Sequence, residues 1–251
     1  MTATLGASHA VLHTSAARKT YHRIFGIDDL HSHFRWNAAK RYIDFTAERT
    51  LEVGANSGVM TFALASRMGG QIVSSEFDTE LLGLAHQIQE TLAYPNITLG
   101  QADLRTLGEE GAAFDQALVI DVMEHIDDHE TAARQLAAAL RPGASLVISV
   151  PTPNYPKVFG REFHEAIGHV RDGYWIEDME ALLAPAGFQI ERHHYYTGRL
   201  ASAGCSLVYR RPLSRKAALL ATPALRGAGM LTERNVKREH AASLALVARR
   251  I

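Results

Sequence analysis

Between Thr50 and Val150, short apolar runs alternate with stretches whose apolar residues recur at helical spacing, the order expected of a parallel sheet wrapped by helices. Leu51–Val53 predicts a short strand running into Gly54, and Val59 to Met68 then follows helical spacing until Gly69-Gly70. Gln71–Ser75 reads as a second strand, with Ile72 and Val73 β-branched. Thr79 is placed to cap a helix that runs through Tyr94 and ends at Pro95. Ile97–Leu99 predicts a third strand. Phe114–Ile120 is almost continuously apolar, as in a central strand buried on both faces. Ala132, Ala133, Leu136, Ala137 and Leu140 share one helix face, and Pro142-Gly143 predicts the end of that helix before a strand over Leu146–Val150. Glu177–Ala184 predicts a further helix closed by Pro185 and Gly187. Phe188–Ile190 and Leu244–Ala248 are strand-like and would pair as the antiparallel edge of a mostly parallel sheet.

Two regions interrupt this alternation. Pro151–Tyr174 reads as a loop rich in His and aromatics, and Leu200–Leu231 is apolar, Ala-rich and broken by Pro212 and Pro223. Ligands of open α/β sheets lie beyond the carboxyl ends of the strands, where long excursions shape the site, so both regions are expected to line a pocket. Arg199, Arg210 and Arg211 are placed to hold one end of a substrate there. Packing as core or as a homodimer interface, and lying on a membrane surface, are the competing uses of Leu200–Leu231.

The bulk properties narrow the class of partner. The 251 residues are 47% hydrophobic, enough for the core of one sizeable α/β domain. Charges nearly cancel, with a formal net charge of -1, so no overall field draws the chain to nucleic acid or an anionic surface. The single cysteine, Cys205, excludes an internal disulfide framework and fits a reducing compartment, with the cytoplasm as the expected location. Met1–Ala17 lacks the features of a signal peptide and reads as a tail, and no apolar run reaches the length of an integral membrane segment.

Leu51 through Gly58, Leu-Glu-Val-Gly-Ala-Asn-Ser-Gly, is a strand turning sharply into a helix, where glycine permits unusual dihedrals and close approach of a ligand. Glu76 ends the second strand, where a carboxylate accepts both hydroxyls of a ribose. Asp103, after the third strand, is placed to meet an adenine amino group. Together with Glu52 these acids would surround a nucleoside ligand carrying an amine and a positive centre, and would repel a pyrophosphate.

These residues resemble the class I S-adenosylmethionine-dependent methyltransferases, in particular the small-molecule group. Glu52–Gly58 is similar to the acidic-x-Gly-x-Gly-x-Gly first motif, and Glu76 and Asp103 stand at the ribose and adenine acids. Asp121-Val122-Met123-Glu124-His125 resembles the acidic-Val-Leu-Glu-His signature, and Leu140-Arg141-Pro142-Gly143 the Leu-Lys-Pro-Gly segment. The resemblance covers about Thr50 to Pro151, and less specifically Gly168 to Phe188. It implies a Rossmann-like, doubly wound, mostly parallel seven-stranded sheet with helices on both faces and an antiparallel edge strand. One domain over 1–251 is expected, with a tail and lid helices over 1–45, the cofactor-binding core over 46–151, and acceptor-site insertions and C-terminal strands over 152–251.

The implied activity is methyl transfer from S-adenosylmethionine, with S-adenosylhomocysteine as product, to a small-molecule acceptor, with an apolar molecule and methylation on oxygen favoured, within secondary-metabolite or lipid and glycan biosynthesis. The implied cofactor residues are Glu52, Gly54, Ala55, Asn56, Gly58, Glu76, Phe77, Asp103, Leu104, Asp121 and Val122, with Arg35 closing the site against the cofactor carboxylate. Asn56 departs from the pattern by occupying the middle glycine's place, although Asn tolerates left-handed geometry. His169, in a segment that resembles the His-x-Arg of related enzymes, is the first candidate for a general base, and His164 the second. Glu124 and His125 read as supports of the strand-to-helix turn. The His pairs 31/33, 164/169 and 193/194 follow no recognised ligand spacing, so no metal is expected. A nicotinamide-dependent oxidoreductase would need glycines where Asn56 and Val59 stand. A catalytically silent binding module on the same fold is the other alternative.

Overall fold

The structure, a computed structural model, describes residues 30–107, 111–210, 215–233 and 236–251, with 207–210 and 215–223 as backbone alone. The expected tail Met1–Ala17 and the side chains of Arg210, Arg211, Pro212 and Pro223 lie outside the described residues. The strands are β1 (Arg49–Val53), β2 (Gln71–Glu76), β3 (Ile97–Gln101), β4 (Phe114–Ile120), β5 (Leu140–Pro151), β6 (Phe188–Tyr196) and β7 (Ser243–Arg250). The helices are α1 (Leu30–Ala39), α2 (Val59–Ala65), α3 (Thr79–Leu92), α4 (His129–Ala139), α5 (Tyr155–Phe159), α6 (Arg161–Ala166), α7 (Ile176–Leu183), α8 (Arg199–Arg210) and α9 (Arg215–Thr232).

The strands form one seven-stranded sheet in the order β3-β2-β1-β4-β5-β7-β6. β1 to β5 pair in parallel, and β7 runs antiparallel to both β5 and β6. The expected pairing of the last two strands is therefore present, with β7 one place in from the edge made by β6. Both faces are covered, as the alternation of side chains along the strands dictates. Ala117, Val119, Leu146 and Ile148 join Leu136 of α4 and Met179 of α7 in one core. Leu118, Val147 and Val247 point the other way and join Trp36 of α1 and Leu64 of α2. The chain runs outward from β1 through β2 to β3 and returns to β4 on the opposite side of β1. Beyond the carboxyl ends at that reversal lies the crevice where such sheets take ligands.

Several boundaries differ from the sequence expectation for identifiable reasons. Asp78, not Thr79, caps α3, its Oδ1 accepting from the N–H groups of Glu80 and Leu81 at 2.8 and 3.1 Å. Pro142-Gly143 does not separate helix from strand. β5 already begins at Leu140, which pairs with Phe114, and the register shifts between Phe114 and Gln116 to accommodate the extra residues. Pro151–Tyr174 is not simply loop, since it carries α5 and α6. Leu200–Leu231 forms α8 and α9, and Gly229 of α9 sits so close to Phe34 of α1 that a Cβ there would lie 2.3 Å from the ring. Among its described side chains, Ala201, Cys205, Leu225 and Met230 pack with Leu30 and Phe34 of α1. None of the described helices is long and apolar enough to cross a membrane.

Leu136 is fully buried between α4 and the sheet. Leu136→Ala should therefore lower unfolding free energy by about 2–5 kcal/mol, read as a lower urea midpoint at unchanged slope.

Candidate active site

The turn from β1 into α2 is left-handed at three places, Gly54 (φ 75), Asn56 (φ 52) and Gly58 (φ 86). Asn56 thus takes the backbone conformation of the glycine it replaces, and its Oδ1 accepts from the Ser57 N–H at 2.7 Å. The N–H groups of Gly54 and Ala55 both donate to the Ser75 carbonyl at 2.9 Å, and that of Gly58 to the Ala55 carbonyl at 2.9 Å. The Asn56 N–H donates to Glu76 Oε2 at 2.6 Å. Every N–H from 54 to 58 is engaged within the protein, so the loop is not a phosphate cradle of the kind a dinucleotide needs.

Glu76 stands half-buried at the end of β2, its other oxygen accepting from the Asp78 N–H at 2.9 Å. Two backbone donors fix its carboxylate and leave lone pairs for further hydroxyl groups. Beside it Phe77 is 63% exposed, an unusual setting for a phenyl ring and a ready stacking surface. Asp103 follows β3, and Arg105 grips its carboxylate through Nε at 3.0 Å to each oxygen, holding its pKa below the usual range. Leu104 is buried in the core rather than open to a ligand.

Glu52 corrects the expected trio of ligand-facing acids. Its side chain is buried beneath the loop, where Oε2 accepts from the Thr61 hydroxyl at 2.6 Å and the Ser74 hydroxyl at 2.7 Å. Burial pushes its pKa up. Glu52 therefore ties β1 to β2 and α2 and places no charge in the crevice.

The end of β4 is a second polar centre. Asp121 is left-handed (φ 53), and its carboxylate accepts from the Ser149 hydroxyl at 2.7 Å, which in turn accepts from the Tyr196 hydroxyl at 2.5 Å. Arg35 reaches the site from α1 as expected, but its Nε pairs with Asp121 Oδ2 at 2.5 Å rather than standing free for a cofactor carboxylate. One turn earlier on the same helix face, His31 is buried against the rings of Tyr155 (5.9 Å) and Phe159 (5.3 Å). Burial, with the nearby Arg35 charge, lowers its pKa to about 3. Val122, next to Asp121, faces Gly54 across the crevice floor, where a Cβ on Gly54 would lie 2.3 Å from Val122 Cγ2.

His169 and His164 lie together, Nδ1 to Nδ1 at 3.0 Å. Burial and the neighbouring imidazoles lower the His169 pKa to about 3, far from the near-neutral value that suits a free-standing general base. His164 is 2% exposed and lies behind it, 3.4 Å from Asp172. His125 supports the turn as expected, with Nδ1 against the Gly168 carbonyl at 3.1 Å, and Arg171 anchors the segment to the Asp127 carbonyl at 3.0 Å. Sequence reasoning missed Ser149 and Tyr196, and weighed His31 only as a metal ligand rather than as a residue of this site. The spacing of four between His31 and Arg35 was the one local signal available, because Ser149 and Tyr196 meet Asp121 only through the sheet.

Gly54→Ala should cost about 1–3 kcal/mol from backbone strain alone, with the Val122 contact adding to it, and chemical denaturation measures the sum. His31 generates a pH prediction. Its folded-state pKa is depressed, so its contribution to stability is present above pH 6.5 and is lost as pH falls from 6.5 towards about 3. His31→Leu should reduce the slope of unfolding free energy against pH by one proton across that window, and an unchanged slope would mean that His31 is not held neutral by the fold.

Residues 16–208 match the family model for a methyltransferase domain. The ubiquinone biosynthesis O-methyltransferase of Xanthomonas euvesicatoria pv. vesicatoria is 25% identical over 160 residues, 59% of this chain and 66% of that enzyme. The O-methyltransferase rstn1 of Aspergillus nomiae is 29% identical over 163 residues, 60% of this chain and 68% of that one. The chain thus spans just under two thirds of the length of the ubiquinone enzyme it matches. Among solved structures, an S-adenosylmethionine-dependent methyltransferase from Mesorhizobium loti has a TM-score of 0.62 at 19% identity, covering 88% of this chain and all of that one. The Haemonchus contortus phosphoethanolamine N-methyltransferase 2, solved with S-adenosyl-L-methionine, has a TM-score of 0.65 at 17% identity, covering 99% of this chain and 58% of that one. These structural likenesses speak for the fold. With the family match over most of its length, the chain belongs to the class I S-adenosylmethionine-dependent methyltransferases.

Proposed function

We propose that the chain transfers a methyl group from S-adenosylmethionine to an oxygen of a small, largely apolar acceptor. The observation that carries this reading is the sheet order. β3, β2, β1 and β4 are adjacent, so Asp103, Glu76, the 54–58 loop and Asp121 stand in one row beyond their carboxyl ends. Such a row suits a ligand with adenine, ribose and a cationic amino-acid part in sequence. Phe77 offers a plane for the base, Glu76 accepts the ribose hydroxyls, and Asp121 attracts the amino group. The cofactor supplies an activated methyl on a sulfonium.

What the protein adds is placement. The transfer is an in-line displacement, so acceleration comes from holding acceptor and donor aligned in a site closed to water. The Arg35–Asp121 pair draws α1 over the end of β4, and His31, Tyr155 and Phe159 form an aromatic wall there. The oxygen preference is supported by the names of the two O-methyltransferase relatives, and the apolar acceptor by that wall.

Calorimetry with S-adenosylhomocysteine tests the cofactor half. Glu76→Ala should weaken binding by about 1.5–3 kcal/mol, the worth of hydrogen bonds to a charged group, and Asp103→Ala by less because Arg105 already engages that carboxylate. Thermal stabilisation by NADH and not by S-adenosylhomocysteine would refute the reading. Methyl transfer from labelled cofactor to a panel of phenolic, amine and carboxylic acceptors tests the other half.

A further inference from the structure

Glu124 is the group that the site as described leaves without a purpose. It sits in the short 3-10 turn Met123–His125 that follows β4, its side chain fully buried, and neither carboxylate oxygen has a hydrogen-bond partner beyond a weak contact with its own backbone amide. An unpartnered carboxyl in the interior is among the most costly arrangements a fold can hold, and native proteins rarely keep one without a use. Two imidazoles stand beside it, and the charges of Asp121, Arg35 and Arg171 also act on it. His169 Nε2 lies 3.8 Å from Glu124 Oε1, and the His125 ring stands edge-on to His169 with centroids 4.7 Å apart. One donor atom from each of Glu124, His125 and His169 falls within 4.8 Å of the others.

One hydrogen bond in this cluster decides which nitrogen of His125 carries the lone pair. The Gly168 carbonyl can only accept, so His125 Nδ1 carries the hydrogen and Nε2 is left as a donor of electrons. Asp172 Oδ1 lies 3.4 Å from His164 Nε2, too far to fix the hydrogen of His164 on that nitrogen. His169 and His164 share one hydrogen across the 3.0 Å Nδ1–Nδ1 contact, and when His169 Nδ1 donates it the Nε2 lone pair faces Glu124. An Nδ1–H held by a carbonyl or by another side chain is the outer-shell arrangement that orients metal-binding imidazoles. The 3.8 Å between His169 Nε2 and Glu124 is too long for a hydrogen bond. It is close to the roughly 3.3 Å that separates two ligands held at 2.0–2.1 Å around a tetrahedral ion.

We propose that Glu124, His125 and His169 form a binding site for one divalent d-block cation, with zinc as the reference ion. Two nitrogens and one carboxylate oxygen select this class over magnesium or calcium, which take oxygen ligands. Three protein ligands leave a fourth position open, and the exposed His125 gives solvent and ion a way in. His125 and His169 are distant in the chain and are brought together by the turn after β4 and the segment after α6, which is why histidine spacing along the sequence does not show the cluster.

One consequence rests on the methyl-transfer reading. An acceptor hydroxyl in the open position would lose its proton to water more readily. Its oxygen would then form the new bond to the methyl carbon as the carbon–sulfur bond breaks and the sulfur leaves neutral.

The test is cation binding by the chelator-stripped protein, followed through the visible absorption of Co²⁺ and by displacement with Zn²⁺. One equivalent is expected. His169→Ala and His125→Ala should each weaken it by at least about tenfold, since even outer-shell changes cost roughly 10–100-fold, while His193→Ala leaves it unchanged. Because a change at the buried Glu124 could unfold the turn, the wild-type protein supplies an independent arm: Zn²⁺ should protect His125 and His169 from diethyl pyrocarbonate. No binding by the wild type, binding untouched by His169→Ala, or protection confined to other histidines would overturn the site. S-adenosylhomocysteine binding in the same samples separates the two readings. Its persistence without a cation site removes this inference alone, and a cation site without it removes the methyl-transfer reading alone.

Discussion

The crevice exists because two loops from strands that are neighbours in space and distant in sequence press against each other. Gly54 ends β1 and Val122 follows β4, and the space between them admits no side chain on Gly54. The chain makes an excursion through β2 and β3 between these two points, so the contact forms only when the sheet has its native order. With it come the positions of Asp121, whose N–H donates to the Ser149 carbonyl, and of the left-handed Asn56, whose N–H donates to the Glu76 carboxylate. The geometry of the site is thus a property of the sheet rather than of any one loop.

Burial treats the acidic groups of this region in different ways. Glu52 is enclosed but receives two hydroxyl donors, which satisfies it as a strut between β1, β2 and α2. Asp121 is nearly enclosed and meets a guanidinium and a hydroxyl, so α1 is tied down over the crevice. Removing one member of so enclosed a pair is far more damaging than the pair itself is stabilising, because the survivor is left uncompensated. Glu124 has neither kind of partner. Three acids within one small region therefore differ in role according to what their surroundings donate, which residue type alone does not reveal.

The sequence was most legible where burial is symmetrical. β4 matched its apolar run from Phe114 to Ile120 because both its faces are covered, and the glycine-containing turn announced the crevice. β6 extends to Tyr196, past its apolar start, because most of its middle lies open at the sheet edge and carries polar residues such as Glu191, Arg192 and His193. The short helices α5 and α6 have too few turns to display a period. In the site, Glu76 and Asp103 could be read from their places at strand ends. The true setting of Glu52 could not, since its partners Thr61 and Ser74 lie on other elements. Arg35 was legible as a closing residue, whereas its partner depended on a contact 86 positions away in the chain, between 35 and 121.

β7 is inserted between β5 and β6, and this has a consequence for how the chain is made. Synthesis proceeds from the amino terminus, so β5 and β6 both leave the ribosome before the strand that joins them. Until residues 243–250 emerge, the β5 side of the sheet offers a row of unpaired backbone groups lined by Leu146, Val147 and Ile148. An open apolar edge of this kind is a template for pairing with other chains. Nascent copies on one polysome are thus exposed to one another until the last strand is threaded into place, and a holding chaperone would find its target at that edge.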